Sequence, residues 1–350
     1  MPFDFPEQFP ALLEELITGH SMLPDQSAAL LTAIFEDQLS EVQVSGLLVA
    51  LAAKEPNAAE MAGLVDAMLA ASLPLEAPDD AIDVVGTGGD HSGSINVSTM
   101  TAIVVAGAGV TVVKHGNRAS SSQVGTADVL ERLGVVIDLG PEGVAACVKE
   151  AGMGFCLAPR FHSSMAAVGP VRRELKIRTV FNLLGPLANP GRVKRQLVGV
   201  ADARAMQAMA EVLGMRGSLR ASIVRGEDGL DELTLTGKSL VLDLVAGEAG
   251  AFTVTESLVD PTDLGLVTVP ADALRGGDVE VNATAVRRVL EGKHGPHREV
   301  VLLNAAQALL VAGRVPDRQD GIEVASASID SGRAGEVLEK LVTASKQAAV

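Results

Sequence analysis

Two adjacent acids in the stretch "GLDEL", Asp231 and Glu232, follow a predicted strand and have the chemistry of a divalent-cation site. Mg²⁺ binds hard carboxylate oxygens and completes its coordination shell with substrate phosphates. A solvated acidic turn is the alternative for this pair. The stretch "DVVGTGGD" at residues 83–90 ends a hydrophobic run in glycines, where backbone N–H groups can approach an anion. It matches neither a dinucleotide fingerprint nor a P-loop, so a plain tight turn remains an alternative.

Cationic and hydroxyl side chains follow one strand later. The stretch "KHGNRASSS", residues 114–122, comes after the apolar run "VTVV". In a parallel sheet this loop lies beside the glycine loop at the carboxyl ends of the strands, where α/β proteins bind ligands. Between Arg160 and Arg195, eight Lys or Arg residues stand against one acid, Glu174, in a chain of net charge -16. This local inversion of charge predicts an anionic ligand, with a solvated basic helix face as the alternative.

The N-terminal part of the chain has a helical pattern. Residues 1 to about 75 carry capping-box spacings at Ser40 with Gln43 and at Asn57 with Glu60, each followed by apolar residues at intervals of three and four. No strand signal occurs there. We therefore predict a small helical domain over residues 1–77.

From residue 82 the pattern changes to short β-branched runs that alternate with helical ones. The strand-like runs are "IDVVG", "VTVVKHG", "VVIDLG", "QLVGVAD" and "SLRASIVRG". Helical patterns at residues 282–291, at 298–312 and after Gly335 close the chain. We predict an α/β domain over residues 78–350, with a central, mostly parallel sheet flanked by helices, and expect helices near residues 165–190 to join the small helical domain.

Composition excludes several classes of protein. The 350 residues are 47% hydrophobic and 21% charged, which is typical of a soluble globular protein rather than a disordered one. The net charge of -16 argues against coating nucleic acid. Cys147 and Cys156 form no CxxC pair, so a reducing cytoplasm fits better than a disulfide framework. The start of the sequence does not resemble a signal peptide, and the longest apolar stretch, residues 99–113, is too short to span a bilayer.

Seven motifs, taken together, resemble those of anthranilate phosphoribosyltransferases in order and spacing from residue 83 to about 306. They are "DVVGTGGD", "NVST", "KHGNRASSS", "PVRRELKIRTVFNLLGPLANP", "GLDEL", "LRGGD" and "GPHREVVLLNAA". The resemblance implies a fold of the nucleoside phosphorylase and phosphoribosyltransferase type. It also implies an enzyme of tryptophan biosynthesis that joins anthranilate to 5-phosphoribosyl 1-diphosphate (PRPP) and releases pyrophosphate. A homodimer with two Mg²⁺ ions per active site is expected, with no nucleic-acid or membrane partner.

The resemblance also implies roles for individual residues. The expected PRPP-binding residues are Gly86, Gly89, Asp90, Ser94, Asn96, Val97, Ser98, Thr99, Lys114, His115, Gly116, Asn117, Arg118, Ala119, Ser120, Ser121, Ser122 and Thr126. The expected anthranilate-binding residues are Gly86, Asn117, His162 and Arg172. Ser98, Asp231 and Glu232 are the expected metal ligands, and His115 is the candidate general base. The chain departs from the family pattern in "HSGS" at residues 91–94 and in Thr126, where a serine is common.

Two other functions share some of these features. A pyrimidine nucleoside phosphorylase has a helical lobe, an α/β domain and a glycine-rich phosphate loop, but the pairing of "KHGNR" with "GLDEL" favours the transferase. A non-catalytic nucleic-acid-binding protein is a second alternative, and the acidic net charge argues against it.

Overall fold

The computed structural model describes residues 7–119 and 123–349. The N-terminal part is helical, as predicted, and consists of α1 Phe9–Ile17, α2 Pro24–Phe35, α3 Glu41–Lys54 and α4 Ala58–Ala70. Both capping boxes form: the Ser40 hydroxyl accepts the Gln43 N–H at 3.3 Å, and the Asn57 side chain accepts the Glu60 N–H at 2.9 Å. Each box satisfies backbone donors that a helix start leaves free, which explains where α3 and α4 begin.

The rest of the chain is built on one mixed sheet. Its strands are β1 Ile82–Gly86, β2 Val112–Gly116, β3 Met153–Leu157, β4 Arg195–Gly199, β5 Arg220–Gly226, β6 Ser239–Ala246 and β7 Phe252–Val259. Within the described residues the strand order is β3-β2-β1-β4-β5-β6-β7, parallel from β3 to β5 and antiparallel from β5 to β7. The chain moves outward from β1 to β3 and then returns to place β4 on the other side of β1. That reversal creates the crevice in which α/β proteins bind ligands.

Helices cover both faces of this sheet. They are α5 Val97–Gly107, α6 Thr126–Arg132, α7 Pro141–Ala151, α8 Ala158–Phe161, α9 Gly169–Leu175, α10 Phe181–Leu184, α11 Met206–Met215, α12 Val279–Leu290, α13 Pro296–Val311, α14 Arg318–Asp330 and α15 Arg333–Ala348. Helix α5 packs against α13 and α15, and α11 packs against α4 and β5. The predicted fold class, a helical part followed by a mostly parallel sheet flanked by helices, is confirmed.

Successive strand residues supply two separate cores. Val84 belongs to one buried cluster, with α5, α7 and α12 to α15, whereas Val85 belongs to another, with α1 to α4 and α11. Leu197 and Val198 divide in the same way, because alternate residues of a strand point to opposite faces. The second cluster also contains Val171 and other apolar residues of the segment 168–188.

Some predicted elements differ from the structure. The prediction of a strand at "VVIDLG" is wrong: residues 135–140 form no strand, and the Val136 N–H donates to the Ser345 hydroxyl of α15 at 3.0 Å. A side chain on a helix therefore satisfies this backbone, and the third strand is formed by residues after α7. The hairpin of β6 and β7 and helix α14 were not predicted, and α15 begins at Arg333, before Gly335.

Within the part of the chain that the structure describes, no helix combines the length and the apolar composition needed to cross a bilayer.

Candidate active site

The glycines at the ends of β1 and β4 explain how the acidic loop, the stretch "GLDEL" at residues 229–233, reaches the crevice. Gly86 and Gly199 are neighbours in the sheet. A Cβ atom at Gly199 would overlap the Asp231 carbonyl oxygen, and one at Gly86 would overlap the Asp231 carboxylate. These two positions lack side chains because the "GLDEL" loop passes directly over the strand ends.

The turn after β1 combines a bound carboxylate with open space. The Gly88 N–H donates to the Asp231 Oδ2 at 2.7 Å. Gly88 and Gly89 both have positive φ values, +66° and +73°, which side chains disfavour. A Cβ atom at Gly88 would have no neighbour within 4 Å, so a ligand has room beside this backbone. The Gly89 carbonyl accepts a hydrogen bond from Arg178.

Three carboxyl groups lie close enough to affect one another. Burial, followed by the charge of Asp90, raises the pKa of Asp231 to about 7, despite the bond from Gly88. Burial, followed by the charge of Asp231, raises the pKa of Glu232 well above its usual value. The Asp90 Oδ2 is buried and has no hydrogen-bond partner among the described residues. These acids therefore form a site of unfavourable negative charge.

Lys114 is a cationic residue close enough to Asp231 and Glu232 to interact with their charges. Its side chain is buried on β2, and its ammonium group donates to the Val84 carbonyl and, at 3.2 Å, to the Ser98 hydroxyl. Burial lowers the pKa of Lys114, while the charges of Asp83, Glu232 and Asp231 act in the opposite direction. The structure thus places Lys114 in the sheet and beside Ser98, rather than in the loop that follows.

The first turn of α5 faces the same acids. Asn96 is its N-cap residue but makes no side-chain capping bond, because its amide bonds the Val124 carbonyl at 3.1 Å and the Asn282 amide at 2.8 Å. A hydrogen bond from the Ser98 N–H to Glu232 opposes the rise that burial causes in the pKa of this acid. Uncapped N–H groups at a helix start favour a bound anion.

Other predicted PRPP residues flank this turn. Ser94 pairs with Arg275 in an isolated bridge, and Val97 is the first residue of α5. The Thr99 hydroxyl donates to the Thr126 hydroxyl at 3.1 Å, so the two predicted hydroxyl groups bond each other. Gly116 ends β2, beside the ring of Phe155.

The loop after β2 is tied to α6 by one carboxylate. The N–H groups of Ala119 and Gly125 both donate to the Asp128 Oδ2 at 2.9 Å. Arg118 contacts Asp128 at 3.0 Å and Glu131 at 2.8 Å, and its hydrogen bonds with Glu131 and Asp128 raise its pKa further. The Asn117 side chain accepts the Arg118 N–H at 2.8 Å. Arg118 is therefore paired with the acids Asp128 and Glu131 in this structure.

The predicted residues Ser120, Ser121 and Ser122 lie outside the described residues.

His115 makes hydrogen bonds through both ring nitrogens. Nδ1 is 2.5 Å from the Asp83 Oδ2, and Nε2 is 2.7 Å from the Gly185 carbonyl oxygen. Burial lowers the pKa of His115, but the charge and hydrogen bond of Asp83 outweigh it, so that the pKa is raised. Burial likewise acts to raise the pKa of Asp83, and the charge of His115 brings it below the usual value. Both partners are acceptors, so the protonated ring that the raised pKa favours has no nitrogen free for a further proton, and the role of His115 as general base stays a prediction.

We expect protein stability to depend on pH through this pair. The lowered pKa of Asp83 gives a contribution that is present above the unfolded value of about 3.9 and lost as the pH falls through the folded pKa. The raised pKa of His115 gives a contribution that is complete below about 6.5 and lost as the pH rises through the folded pKa. Thermal unfolding between about pH 4 and 9 should show that His115→Gln removes the loss on the alkaline side. The exposed His20→Gln is the control, and an unchanged profile in His115→Gln would mean that the folded ring is neutral.

Arg172 and His162 lie in the basic segment. Arg172 is half-buried, with its guanidinium carbon 5.4 Å from the centre of the Phe181 ring. Its guanidinium makes no hydrogen bond or ion pair with any other described residue, and burial lowers its pKa. The His162 Nε2 donates to the Ala188 carbonyl at 2.9 Å, and burial followed by the charge of His115 lowers its pKa. Arg172 is thus a partly desolvated cation available to a carboxylate.

Sequence reasoning missed four residues that shape this region. Gly199 lies under the acidic loop, and Arg178 donates to the Gly89 carbonyl in the glycine turn. Asn282 hydrogen-bonds Asn96, and Asn304 hydrogen-bonds the backbone of Leu233. A polar residue within the apolar run "VVLLNAAQALL" was a signal for Asn304. Arg178 belongs to the basic segment 160–195, but nothing local gave it a partner on the glycine turn, and nothing local marked Gly199 or Asn282.

The donor groups fit a divalent cation that is shared with a phosphate ligand. Asp231, Glu232 and the Asp90 Oδ2, which has no partner among the described residues, supply hard oxygen atoms, and a cation would relieve their repulsion. Within residues 7–119 and 123–349, no three His, Cys, Asp or Glu side chains form a ready metal-binding cluster. A ligand that brings its own oxygen atoms is therefore needed to complete the coordination.

Comparison with known proteins decides the family. The helical bundle domain of a glycosyl transferase family matches residues 10–72, and the a/b domain of a glycosyl transferase family matches residues 78–335. An anthranilate phosphoribosyltransferase of Rhodopseudomonas palustris strain TIE-1 is 48% identical over 340 residues, which are 97% of this chain and 99% of that protein. The chain belongs to the anthranilate phosphoribosyltransferase family. It is an enzyme of the glycosyltransferase class.

Solved anthranilate phosphoribosyltransferases share the whole fold. The structure from Thermus thermophilus is 39% identical, with a TM-score of 0.89 over 95% of this chain and 99% of that one. The Saccharomyces cerevisiae structure in complex with PRPP and Mg is 28% identical, with a TM-score of 0.88 over 98% of this chain and 99% of that one. The same yeast enzyme in complex with 4-fluoroanthranilate is 26% identical, with a TM-score of 0.87 over 97% and 98% of the two chains.

Proposed function

We propose that the chain transfers the 5-phosphoribosyl group from PRPP to the amine of anthranilate, releasing pyrophosphate, as a step of tryptophan biosynthesis. The observation that carries the proposal is the convergence of the Gly88 turn, the start of α5 and the pair Asp231 and Glu232 at one crevice. Backbone donors suit a diphosphate, and the acids suit the cation that accompanies it.

PRPP would bind across the ends of β1 and β2. The proposed contacts are the PRPP-binding residues named above from the family resemblance, which fall into one group between Gly86 and Thr99 and another between Lys114 and Thr126. The open space beside Gly88 and the uncapped start of α5 support the diphosphate position. Arg118 would have to exchange Asp128 and Glu131 for the ligand, an exchange between charged partners of similar strength.

Mg²⁺ would be held by Asp231, Glu232 and Ser98, with two ions per active site. The raised pKa values of the two acids support this assignment, because a cation would stabilise their ionised forms. Bound Mg²⁺ supplies positive charge that stabilises the negative charge on a departing diphosphate. Lys114 lies next to Ser98 and, when protonated, adds positive charge from the protein itself.

Anthranilate would be held through its carboxylate by Arg172, with Asn117, His162 and Gly86 nearby. The half-buried guanidinium of Arg172, which pairs with none of the described residues, supports this position. Displacement at the anomeric carbon passes through a cation-like transition state, so the chain's main task is to hold the amine in line and stabilise the leaving group. No nucleophilic side chain is required.

The direct test is the loss of anthranilate fluorescence in the presence of PRPP and Mg²⁺. We expect the loss to require both, and to stop when a chelator removes the metal. Phosphorolysis of thymidine without anthranilate turnover would instead identify a nucleoside phosphorylase. Salt-sensitive DNA binding without either activity would identify a nucleic-acid-binding protein.

We also propose that residues 1–77 fold as a helical domain completed by residues near 165–190, with residues 78–350 as the PRPP-binding domain. The shared core of α1 to α4 with Val171 and Phe181 supports this division. A cytoplasmic location is proposed as well, and the two buried free cysteines, Cys147 and Cys156, support it.

A homodimer through α1 and α3 is proposed too. A groove of about 720 Å³ between these helices is lined mainly by apolar atoms, and Ile17 and Val49 are 69% and 45% exposed there. Exposed apolar surface of this kind suits a second copy of the chain. Ile17→Glu with Val49→Glu should give a monomer in analytical ultracentrifugation, whereas Leu258→Glu on β7 should not. A dimer that survives the double change would exclude this groove as the interface.

A further inference from the structure

Asn304 forms a clamp on the acidic loop. It lies on α13 with no exposed surface, inside a run of apolar residues. Its Nδ2 donates to the Leu233 carbonyl at 2.9 Å, and its Oδ1 accepts the Leu233 N–H at 2.9 Å. Nδ2 also donates to the Val300 carbonyl at 2.9 Å. One side chain therefore satisfies both polar groups of the residue that follows Glu232.

The clamp acts where the loop most needs support. Glu232 is buried and Asp231 is half-buried, and their carboxylates repel each other when both are ionised, which tends to separate them. A buried amide is costly unless it is fully bonded, and two of the three hydrogen bonds of this one exist only while Leu233 stays in place. Any displacement of the acids toward solvent would break two hydrogen bonds at once.

Other supports of the loop are hydrogen bonds within it and the bond from the Gly88 N–H to the Asp231 Oδ2. The Asp228 carboxylate accepts the Leu230 N–H at 3.1 Å and the hydroxyls of Thr234 and Thr236 at 2.9 and 2.7 Å. These bonds shape the turn itself but do not attach it to the rest of the fold. Asn304 attaches its far end to α13, a helix that packs on α5.

We propose that Asn304 is a positioning residue that holds the Asp231 and Glu232 carboxylates at the separation required for metal binding, touching neither metal nor substrate itself. The inference rests on the proposed metal role of these two acids. A partner that orients a metal ligand typically changes metal affinity by about 10- to 100-fold when it is removed. We therefore expect the loss of Asn304 to weaken Mg²⁺ use specifically.

The test compares Asn304→Leu with Gln307→Leu. Gln307 is on the same helix, is equally buried, and donates to the Ser222 hydroxyl at 2.7 Å and to Asp243 at 3.0 Å. Both variants should lose thermal stability to a similar degree. Only Asn304→Leu should raise the Mg²⁺ concentration for half-maximal activity by about tenfold or more, with the KM for anthranilate unchanged. Mn²⁺ binding in the presence of PRPP, followed by electron paramagnetic resonance, should weaken by the same factor.

Asn304→Ala, which places no added bulk in the clamp, serves if the leucine variant does not fold. Metal dependence equal to that of Gln307→Leu in whichever Asn304 variant folds would overturn the inference. If Asp231→Asn with Glu232→Gln also left metal use unchanged, the proposed metal site would be wrong, and this inference with it. If Mg²⁺ dependence changed in Asp231→Asn with Glu232→Gln but not in the Asn304 variant, only the role of Asn304 would be overturned.

Discussion

Replacing Asp231 by Asn and Glu232 by Gln is expected to abolish turnover at ordinary Mg²⁺ concentrations while leaving a folded protein. The amides keep the size of the side chains, and an amide oxygen can still accept the Gly88 N–H, but the charges that would bind Mg²⁺ are lost. Relief of the repulsion between the acids offsets the loss of negative charge near Lys114, so we expect the free energy of unfolding to change by less than about 2 kcal/mol. Activity at several Mg²⁺ concentrations and thermal unfolding measure the two effects.

The control for this change is Glu227→Gln, an exposed acid in the same turn, which should leave metal dependence unchanged. The single change Asp231→Asn tests the direction in which ionisation of this acid changes the stability of the protein. Because the pKa of Asp231 is raised to about 7, ionisation of this acid disfavours the folded state as the pH rises from its unfolded value. The free energy of unfolding of Asp231→Asn, relative to that of the parent, should therefore be higher at about pH 8 than at about pH 5. Full activity and normal metal dependence in the double amide would remove these acids from the metal site.

Replacing Arg172 by Ala is expected to raise the KM for anthranilate by roughly ten- to a hundredfold, because a lost charged hydrogen bond costs about 1.5 to 3 kcal/mol. The guanidinium is half-buried over Phe181 and unpaired among the described residues, so a substrate carboxylate is the partner it lacks. The KM for PRPP should change much less. Initial rates with each substrate varied in turn measure the difference.

Two variants sharpen this result. Arg173→Ala removes an exposed arginine from the same helix, α9, and should leave both KM values near those of the parent. Arg172→Lys keeps the charge but loses the planar fork that bonds a carboxylate at two points, and should be intermediate. Equal losses for anthranilate and PRPP in Arg172→Ala would place this residue at the phosphate site or in the support of the fold.

Local sequence patterns determined the elements and the types of residue at the site. The capping boxes at Ser40 and Asn57 and the strand "IDVVG" were predicted from short stretches and are confirmed, because caps and strand alternation depend on neighbouring residues. The run "VVIDLG" has the same β-branched character, yet it forms no strand. Its backbone bonds Ser345, which is 209 positions away and invisible to a local pattern.

The sequence by itself determined that a strand ends in glycines, that a helix starts shortly after, and that an acid pair follows a later strand. Only the tertiary structure decided that these parts meet. Gly88 and Asp231 are 143 positions apart, and they touch because β1 and β4 are neighbours whose last residues, Gly86 and Gly199, leave space for the acidic loop. Close approach depends on which strands lie side by side, and burial then decides which charges are costly. For that reason the chemistry of the acids was readable from the chain, whereas their raised pKa values and the clamp of Asn304 were not.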